Sequence, residues 1–491
     1  MNSIISQKLK HFRIKHGLSQ LELGQKLGIS NRAISKWEKG ISMPSSENIY
    51  RLSKIFGVSI EYFYNDGEDE ENIKTTSGME SLTELFKIGR GPSSSHTIGP
   101  ENACKILLQK YKEADYFEVT LYGSLSKTGK GHGTDTVILK TLAPKKVDIK
   151  FDYSETKLFH PNTMSIKVFK ENNLLATEKI FSIGGGSIMF EDSDYIPPKR
   201  IYKLDKFHDI YEHIKENNQR LYDFAIEIED EGFFDYMRMV WQQMKESIKE
   251  GLKADGILPG GLNLQRKAKT LLSSQHIDES AQTKENRMVC AYAFAVSEQN
   301  ASGETIVTAP TCGASGVVPA VLYYHQIKSS FTDDQIVKAL ITAGIIGNLI
   351  KTNASISGAE CGCQAEVGTA CAMAAAALGE LYELDIEKIE FAAEIAIEHH
   401  LGLTCDPICG LVQIPCIERN AVAAMRAINA VNLASLLWST RKISLDNIIE
   451  TLRETGRDLK PSYRETSEAG VAKINIKLIK ERSFFLRSCF F

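Results

Sequence analysis

The period of hydrophobic and polar positions changes along the chain and predicts three regions. Residues 6–64 carry apolar positions at helical spacing, which predicts five short helices. Strands follow, because the runs at 117–125 (FEVTLYGSL) and 164–170 (MSIKVFK) alternate apolar and polar residues. From about residue 206 onward, long segments rich in Ala, Leu and Ile predict buried helices. We therefore expect a multidomain chain, with an all-α domain first, then a small α/β domain, then a large all-α domain.

Charge and composition place the boundaries between these regions. The first 66 residues hold ten Lys and Arg against five Asp and Glu. The acidic run DGEDEE at 66–71 is followed by small polar residues, a composition that cannot bury a core and is typical of a linker. The predicted segments are an N-terminal domain at 1–66, a linker at 67–78, an α/β domain at 79–205, a helical domain at 206–480 and a C-terminal tail at 481–491.

Bulk composition excludes several classes of protein. Hydrophobic residues make up 43% and charged residues 24% of the chain, so a large buried core is expected. The net charge of −4 excludes a uniformly basic coat for nucleic acid, although not a local basic patch. We find no apolar run of the length that a membrane span needs and no signal peptide at the N-terminus. These features predict a cytoplasmic protein with no membrane partner.

The N-terminal domain contains signals for two short helices joined by a tight turn. Ser19 precedes one helix and Glu22 follows three residues later, which is the pattern of a capping box. That helix stops at Gly28, and Ser30 then caps a second helix that ends at Gly40. Two helices in this arrangement place the second one in the major groove of DNA.

The second of these helices carries the candidate DNA contacts. Ala33, Ile34 and Trp37 are predicted to face inward. The outward residues, of types that suit base edges and phosphates, are Asn31, Arg32, Ser35 and Lys36. The segment closely resembles the Cro/repressor-like helix-turn-helix family, which implies binding of double-stranded DNA, usually as a dimer, so we expect a homodimer. A helical module used only for protein contacts is the alternative.

Three strings rich in glycine and small polar residues predict a ligand site in the α/β domain. GRGPSSSHTIGP at 89–100 exposes backbone amides and hydroxyls ahead of a helix predicted to start near Pro100, which suits a carboxylate or a phosphate. SIGGGSI at 182–188 offers backbone that a ligand can approach closely. The third string, LYGSLSKTGKGHGTDT at 121–136, is expected to place four side chains on flexible backbone: Ser124, Lys127, His132 and Asp135.

The cysteines are unevenly distributed, because six of the ten lie between 361 and 416. Such a cluster in a cytosolic protein favours metal binding or catalysis over disulfides. Three thiolates could hold a cubane iron–sulfur cluster and leave one iron open as a Lewis acid. Zinc is the alternative metal, but His399 and His400 do not stand at an established finger spacing. Small buried hydrophobic side chains are the preferred interpretation of Cys104, Cys290 and Cys371.

These strings, taken together over residues 79–480, closely resemble the iron–sulfur L-serine dehydratases. GPSSSHT lies in the part that resembles the β domain of that family, and the cysteine-rich segment resembles its α domain. The resemblance implies a [4Fe-4S] cluster ligated by Cys363, Cys405 and Cys416. Cys361 and Cys409 are either bystanders or supports for a nearby cluster, and bystanders are the preferred interpretation.

Two positions depart from the pattern of the family. Cys312 stands in the string APTCG where many members carry Asn, which puts a substrate contact at this position in doubt. Cys489 is a candidate for capping the open iron from the C-terminal tail, although two phenylalanines follow it. The alternative for this segment is an apolar tail without that role.

The resemblance also implies a reaction, the conversion of L-serine to pyruvate and ammonia. The open iron would take the hydroxyl of the substrate, and no lysine motif for pyridoxal phosphate is found. His132 is the first candidate for the base, because an unperturbed histidine titrates near neutrality, and Lys127 is the second. The predicted substrate contacts are Ser93, Ser94, Ser95 and His96 for the carboxylate or amino group, with Asn353, Ser355 and Ser357 lining the pocket.

Two other functions stay open at this point. The chain could be a transcription regulator that senses serine or oxygen through a dehydratase body without turnover. It could also be a cysteine desulfidase, which shares the logic of the three-cysteine cluster, although the GPSSSHT string argues against that activity.

Overall fold

The chain forms two compact units in a computed structural model. The structure describes residues 2–15, 18–56, 63, 78–154, 158, 160–191, 199–274 and 278–473. One unit comprises Met1–Gly78 with Phe190–Ile196, and the other comprises Met79–Met189 with Pro197–Phe491. The predicted α/β and helical domains therefore lie in a single unit, which we call the large unit. The fifth N-terminal helix, apart from Phe63, the predicted linker up to residue 77 and the C-terminal tail with Cys489 lie outside the described residues.

The N-terminal unit is helical throughout its described elements. The sequence signals at its second helix are confirmed, because Ser19 Oγ accepts from the amide of Glu22 and Glu22 Oε2 accepts from the amide of Ser19 at 2.7 Å. Gly28 follows this helix with φ of 70°, a left-handed conformation that glycine adopts without strain. The four helices are α1 (Asn2–Lys15), α2 (Gln20–Leu27), α3 (Asn31–Glu38) and α4 (Ser46–Phe56).

Within the large unit, the described residues include a mixed sheet of five strands in the order β4-β3-β5-β6-β7. The parallel pair β3 and β4 is joined by a helical crossover, and β5 runs antiparallel to both β3 and β6. The strands are β3 (Tyr116–Leu121), β4 (Lys146–Phe151), β5 (Thr163–Lys170), β6 (Asn173–Gly184) and β7 (Ser187–Phe190). The strand predicted at 164–170 is confirmed as most of β5.

The run at 117–125 is only partly a strand, because β3 ends at Leu121. Gly123 turns the chain with φ of 57°, and a Cβ at this position would lie 2.3 Å from the carbonyl oxygen of Pro161. The amide of Ser124 then donates to that oxygen at 2.8 Å and starts a helix. The expectation of flexible backbone at 121–136 is wrong, since most of this string forms α6 (Gly123–Thr128) and the start of α7 (Thr134–Leu142).

Two short antiparallel ladders connect segments that are distant in sequence. In one, β1 (Met79–Glu80) pairs with β8 (Arg200–Tyr202). In the other, β2 (Ile88–Arg90) pairs with β9 (Thr305–Val307). The second ladder joins the predicted α/β segment to the predicted helical segment by main-chain hydrogen bonds.

Helices form the remainder of the large unit and surround a core rich in alanine. α16 is buried along its whole length, because its small side chains let neighbouring helices approach closely. A wide helical turn at Ser94–Ile98 precedes α5. The helices are α5 (Gly99–Lys110), α8 (Phe207–Glu216), α9 (Leu221–Ile228), α10 (Phe233–Lys253), α11 (Ala268–Ser273), α12 (Ala281–Ala301), α13 (Val317–Ser329), α14 (Asp333–Asn353), α15 (Gly358–Cys361), α16 (Thr369–Leu381), α17 (Ile386–Glu398), α18 (Cys416–Leu437) and α19 (Leu445–Asp458).

One helical stretch, Cys416–Thr440, is long and apolar enough to cross a membrane when only length and composition are considered. The sequence-based statement that the chain holds no such run was too strict for this stretch. It packs in the large unit against α12, α16 and α17, and a core helix of a soluble protein passes the same test. The absence of a membrane partner stays a prediction.

Candidate active site and recognition helix

The serine-rich string predicted to bind an anion forms a buried turn at the start of α5. Ser93 caps this turn, and its Oγ accepts from the amide of His96 at 3.2 Å. The first backbone hydrogen bond of the turn runs from the amide of Thr97 to the carbonyl of Ser93 at 2.8 Å. The amides of Ser94 and Ser95 precede that bond, so they belong to the unpaired donors at the beginning of a helix. The predicted helix near Pro100 is confirmed as α5, which begins at Gly99.

Two buried histidines meet beside this turn. The ring centroids of His96 and His132 are 4.3 Å apart, and the side chains are 0% and 1% exposed. His96 Nδ1 lies 2.9 Å from Ser95 Oγ, and His96 Nε2 lies 2.9 Å from Thr128 Oγ1. His132 Nδ1 lies 2.9 Å from the carbonyl oxygen of Thr128. The structure therefore brings together the predicted substrate residue His96 and the predicted base His132.

Glu465 completes this group from the other end of the chain. Its Oε1 lies 3.6 Å from His96 Nδ1 and 3.8 Å from His132 Nε2. Burial, with the nearby Glu366 and Cys363, raises the pKa of the Glu465 carboxyl well above its ordinary value.

The near-neutral titration expected for His132 does not match the structure. Burial lowers the pKa of His132 to about 4, and a hydrogen bond to the Thr128 carbonyl offsets only part of this effect. Burial, followed by the proximity of His132, also lowers the pKa of His96 well below its ordinary value. Both rings are therefore neutral at pH 7, and a neutral imidazole is the form that accepts a proton.

The predicted cluster ligands converge on a second buried group. Cys363, Cys405 and Glu366 each place one potential ligand atom within 4.8 Å of the other two. Glu366 Oε2 lies 3.9 Å from Cys363 Sγ, and Glu366 Oε1 accepts from Thr311 Oγ1 at 2.9 Å. Burial raises the pKa of Glu366 to about 7.

The third predicted ligand, Cys416, begins α18 and interacts with the same group. Burial and the Cys363 thiol raise the pKa of Cys416 well above its ordinary value. Arg419, one turn further along α18, interacts with the thiols of both cysteines. Its guanidinium donates to the carbonyl of Thr404 at 2.5 Å and to Asp406 at 3.3 Å.

This donor set fits an iron–sulfur cluster with three protein ligands. Three buried thiols with one guanidinium beside them are the soft, partly charge-compensated ligands that such clusters take. The backbone at Gly358 lines the site closely, since a Cβ there would lie 2.7 Å from Glu366 Oε2 and 3.2 Å from Cys405 Sγ. Among the described residues no histidine joins this group, so the mixed cysteine and histidine sets of zinc fingers are not formed here.

Cys312 links the group formed by Cys363, Cys405 and Cys416, which we call the cysteine group, to the turn that Ser93 caps, which we call the serine turn. Its thiol is buried and interacts with the side chain of Ser94 and the charge of Glu366, and burial raises its pKa well above the ordinary value. The position that departs from the family pattern is therefore in contact with a predicted substrate residue. The departure from the family pattern at Cys312 therefore lies in the candidate site itself and not in a distant part of the fold.

Other predicted site residues make contacts of a different kind. Lys127 Nζ pairs with Glu468 Oε1 at 2.7 Å and is partly exposed. The Asn353 amide donates to the carbonyl of Asp205 at 2.6 Å. Ser355 Oγ donates to Glu360 at 2.6 Å, whereas Ser357 Oγ is buried and has no hydrogen-bond partner. The structure shows no ligand role for these four residues, and their predicted roles stay predictions.

The remaining cysteines of the described chain lie outside the ligand group. Cys361 packs against Gly456 of α19, and Cys409 is exposed with φ of 55°. Cys104 and Cys371 are buried, and Cys290 is half-buried beside Met425. These placements agree with the interpretation of all five as cysteines without a cluster role.

The sequence reasoning missed Glu366, Glu465 and Arg419. Glu366 follows Cys363 by three residues on a helical turn, and Arg419 follows Cys416 by three, so helical spacing from each cysteine was a usable signal. Glu465 lies in the polar string PSYRETSE, which has the composition of a surface loop. No local signal marks it as buried.

Helix α3 presents the predicted DNA contacts on one face. Asn31, Arg32 and Lys36 are exposed and Ser35 is half-buried, whereas Ile34 and Trp37 are buried. Ser30 caps the helix, with its Oγ 3.3 Å from the amide of Ala33. The predicted orientation of this helix within its own unit is confirmed.

Comparison with known proteins gives three family matches along the chain. The model of the serine dehydratase alpha chain matches residues 141–472, that of the serine dehydratase beta chain matches 81–148, and a helix-turn-helix model matches 9–63. A Haemophilus influenzae protein named L-serine dehydratase is 40% identical, with 80% of this chain and 99% of that protein aligned. Proteins of the same name from Streptomyces coelicolor and Helicobacter pylori are each 36% identical, over 81% and 80% of this chain and 99% and 98% of their own lengths.

Proposed function

This chain belongs to the serine dehydratase family, and from that premise we propose that it converts L-serine to pyruvate and ammonia. One observation carries the proposal. The serine turn, the histidine pair and the cysteine group form one buried site, because Cys312 joins Ser94 to Glu366 and Glu465 joins the histidines to Cys405. Carboxylate binding, proton removal and metal ligation are thereby available at one place.

We propose that Cys363, Cys405 and Cys416 hold a [4Fe-4S] cluster. When bound, this group supplies a Lewis-acidic iron that assists departure of the substrate hydroxyl. Glu366 and Arg419 border the three thiols, and the guanidinium of Arg419 offsets part of their negative charge. Pyridoxal phosphate has no part in this proposal.

The serine turn is proposed to bind the carboxylate of L-serine. The amides of Ser94 and Ser95 stand at the beginning of a helical segment, where unpaired N–H groups and the helix dipole favour an anion. The hydroxyls of Ser93 and Ser95 lie 3.3 Å apart on the same turn. A carboxylate held here would place the α-carbon of the substrate near the histidine pair.

His132 is proposed as the base that removes the α-proton. The carbonyl of Thr128 can only accept, so His132 Nδ1 carries a proton and Nε2 carries the lone pair. Lys127 is the competing candidate, but its ammonium already pairs with Glu468. His132→Asn should lower kcat by about 10²–10⁴-fold, whereas Lys127→Ala should not, and the reverse result would assign the base to the lysine.

The central experiment measures metal content and turnover together. Anaerobically purified protein should contain iron and sulfide and release pyruvate from L-serine. Cys405→Ala should lose both, whereas Cys409→Ala, which changes an exposed cysteine outside the ligand group, should keep both. Unchanged iron in Cys405→Ala would remove this ligand assignment.

The same preparation separates the competing functions. Release of sulfide from L-cysteine without pyruvate from L-serine would indicate a desulfidase. Binding of serine without any product would indicate a sensor.

We also propose that the N-terminal unit binds double-stranded DNA. The support is the exposed polar face of α3 together with the helix-turn-helix match. Arg32→Ala should weaken DNA binding without changing serine turnover, and Lys10→Ala, which removes the same charge from an exposed position on α1, is the control. The homodimer and the cytoplasmic location stay predictions.

A further inference from the structure

Glu465 is held at the junction between the cysteine group and the histidine pair. Its amide donates to the carbonyl of Cys405 at 2.8 Å, and its own carbonyl accepts from Ser124 Oγ at 2.7 Å. The amide of Cys405 in turn donates to the carbonyl of Tyr463 at 2.8 Å. The residue has φ of 54°, an unfavourable conformation for a side chain larger than glycine, and it is 6% exposed. The surrounding contacts therefore fix the backbone that carries this carboxyl group.

The hydrogen bonds of His96 determine which of its nitrogens carries a proton. The hydroxyl of Thr128 donates to the carbonyl of Ser124 at 2.9 Å, and the hydroxyl of Ser124 donates to the carbonyl of Glu465. Both hydroxyl hydrogens are thereby used, so each oxygen can only accept from His96 Nε2. The lone pair of His96 therefore lies on Nδ1, where Ser95 Oγ donates to it at 2.9 Å.

The lone pairs of both rings consequently face the same carboxyl oxygen. His96 Nδ1 and His132 Nε2 lie 3.6 and 3.8 Å from Glu465 Oε1. His96 bears its proton on Nε2, whereas His132 bears its proton on Nδ1. In each ring the unprotonated nitrogen is therefore the one close to Glu465 Oε1. The separation from His132 exceeds a hydrogen bond, so the lone pair of this ring stays available for a proton.

We propose that Glu465 is the positioning residue of the proton-accepting histidine. It lies beside His132 Nε2, and it accepts the hydrogen bond of the N–H that forms there when the proton has been transferred. This role rests on the proposed function. In the step concerned, the bond between the α-carbon and its hydrogen breaks, and the proton binds to His132 Nε2. The electron pair forms the double bond to the β-carbon, and the bond from that carbon to the hydroxyl breaks, so the hydroxyl leaves as hydroxide with the bonding electrons.

The first test is spectroscopic and uses the wild-type protein. Nitrogen-15 NMR of protein labelled at histidine distinguishes protonated from unprotonated ring nitrogens. We expect His132 to carry its proton on Nδ1 and His96 on Nε2, with His132→Asn and His96→Asn used to assign the signals. Opposite tautomers would overturn the proposal, and this result does not depend on turnover.

The second test is kinetic and compares three variants. Glu465→Gln keeps the size of the side chain and replaces its carboxyl group by an amide, and we expect kcat to fall by about a hundredfold or more. KM for serine should stay within about threefold, because the serine turn is untouched. The isotope effect with α-deuterated serine should rise, since proton removal then limits the rate. Glu465→Asp should recover part of kcat, and Glu454→Gln, an exposed change on α19, should behave as wild type.

Iron content and histidine NMR of each variant separate a positioning role from a structural one. A Glu465→Gln protein with full iron but unchanged kcat and isotope effect would overturn the proposal. If Glu465→Gln loses iron, Glu465→Asp replaces it in the kinetic test. The isotope effect of Glu465→Asp must then exceed that of the wild-type protein. Failure of the proposed function is distinct, because wild-type protein would then form no pyruvate.

Discussion

Helix α3 and the candidate active site use polar residues in opposite ways. Asn31, Arg32 and Lys36 stand on an exposed face, and the capping of α3 does not depend on them. His96 and Glu465, in contrast, are almost fully buried, and each contacts residues from distant parts of the chain. A surface site of the first kind can change residue by residue at small cost to folding. A buried site of the second kind couples folding and chemistry, because each side chain is a partner of another.

The strongest way to test this difference is to remove a buried charge. Arg419→Met keeps the apolar length of the side chain but leaves Asp406 and the cysteine thiols without their cation. We expect the large unit to lose about 3–5 kcal/mol of unfolding free energy and its iron. Arg426→Met changes an exposed arginine on the same helix and should cost less than about 0.5 kcal/mol. Chemical denaturation measures the unfolding free energy of both variants. Equal losses would show that the burial of the arginine does not determine the cost of removing it.

A single methyl group should produce the next largest effect. Gly358→Ala introduces a Cβ 2.7 Å from Glu366 Oε2 and 3.2 Å from Cys405 Sγ, so the site must shift. We expect a cost of about 1–3 kcal/mol and a fall in iron content and turnover. Gly313→Ala is the matched control, because its Cβ would meet the same carboxylate at an ordinary 3.4 Å. Full iron in Gly358→Ala would contradict the proposed tightness of the site.

The smallest expected effect separates folding from binding in the N-terminal unit. Ser19→Ala removes one half of the capping box of α2 and should cost this unit about 1 kcal/mol. Arg32→Ala should leave stability within about 0.5 kcal/mol while weakening DNA binding. Thermal unfolding and DNA titration at fixed salt give the two readouts. A large loss of stability in Arg32→Ala would mean that the exposed face supports the fold.

Local signals in the sequence predicted those features that depend on neighbouring residues. The capping box of Ser19 and Glu22 and the cap at Ser30 are confirmed, because each rests on hydrogen bonds within one turn. The alternation at 164–170 correctly predicted β5. The same alternation was misleading at 122–125, where the contact between Gly123 and Pro161 turns the chain into α6. Tertiary contact decided that point, and a single strand pattern cannot report it.

The candidate site shows the same limit more sharply. The serine turn and the cysteines were predicted because they form short strings of unusual composition. Glu465 has no such string, and its contact with Ser124 spans 341 residues of sequence. The expected pKa of His132 was wrong for the same reason, since burial by distant segments sets it. Residue type can be taken from the sequence, whereas the dielectric surroundings come from the assembled fold.

The pairing of β2 with β9 bears on whether the two parts of the large unit need the peptide that joins them in order to stay associated. Three residues of each strand form one antiparallel ladder across the boundary between the predicted segments. A chain nicked after β7 would retain this ladder, so the two fragments should reassociate as a noncovalent heterodimer. The continuous backbone then acts mainly by raising the effective concentration of one fragment at the other, and dilution of the nicked protein should expose how strong the ladder and its surrounding packing are.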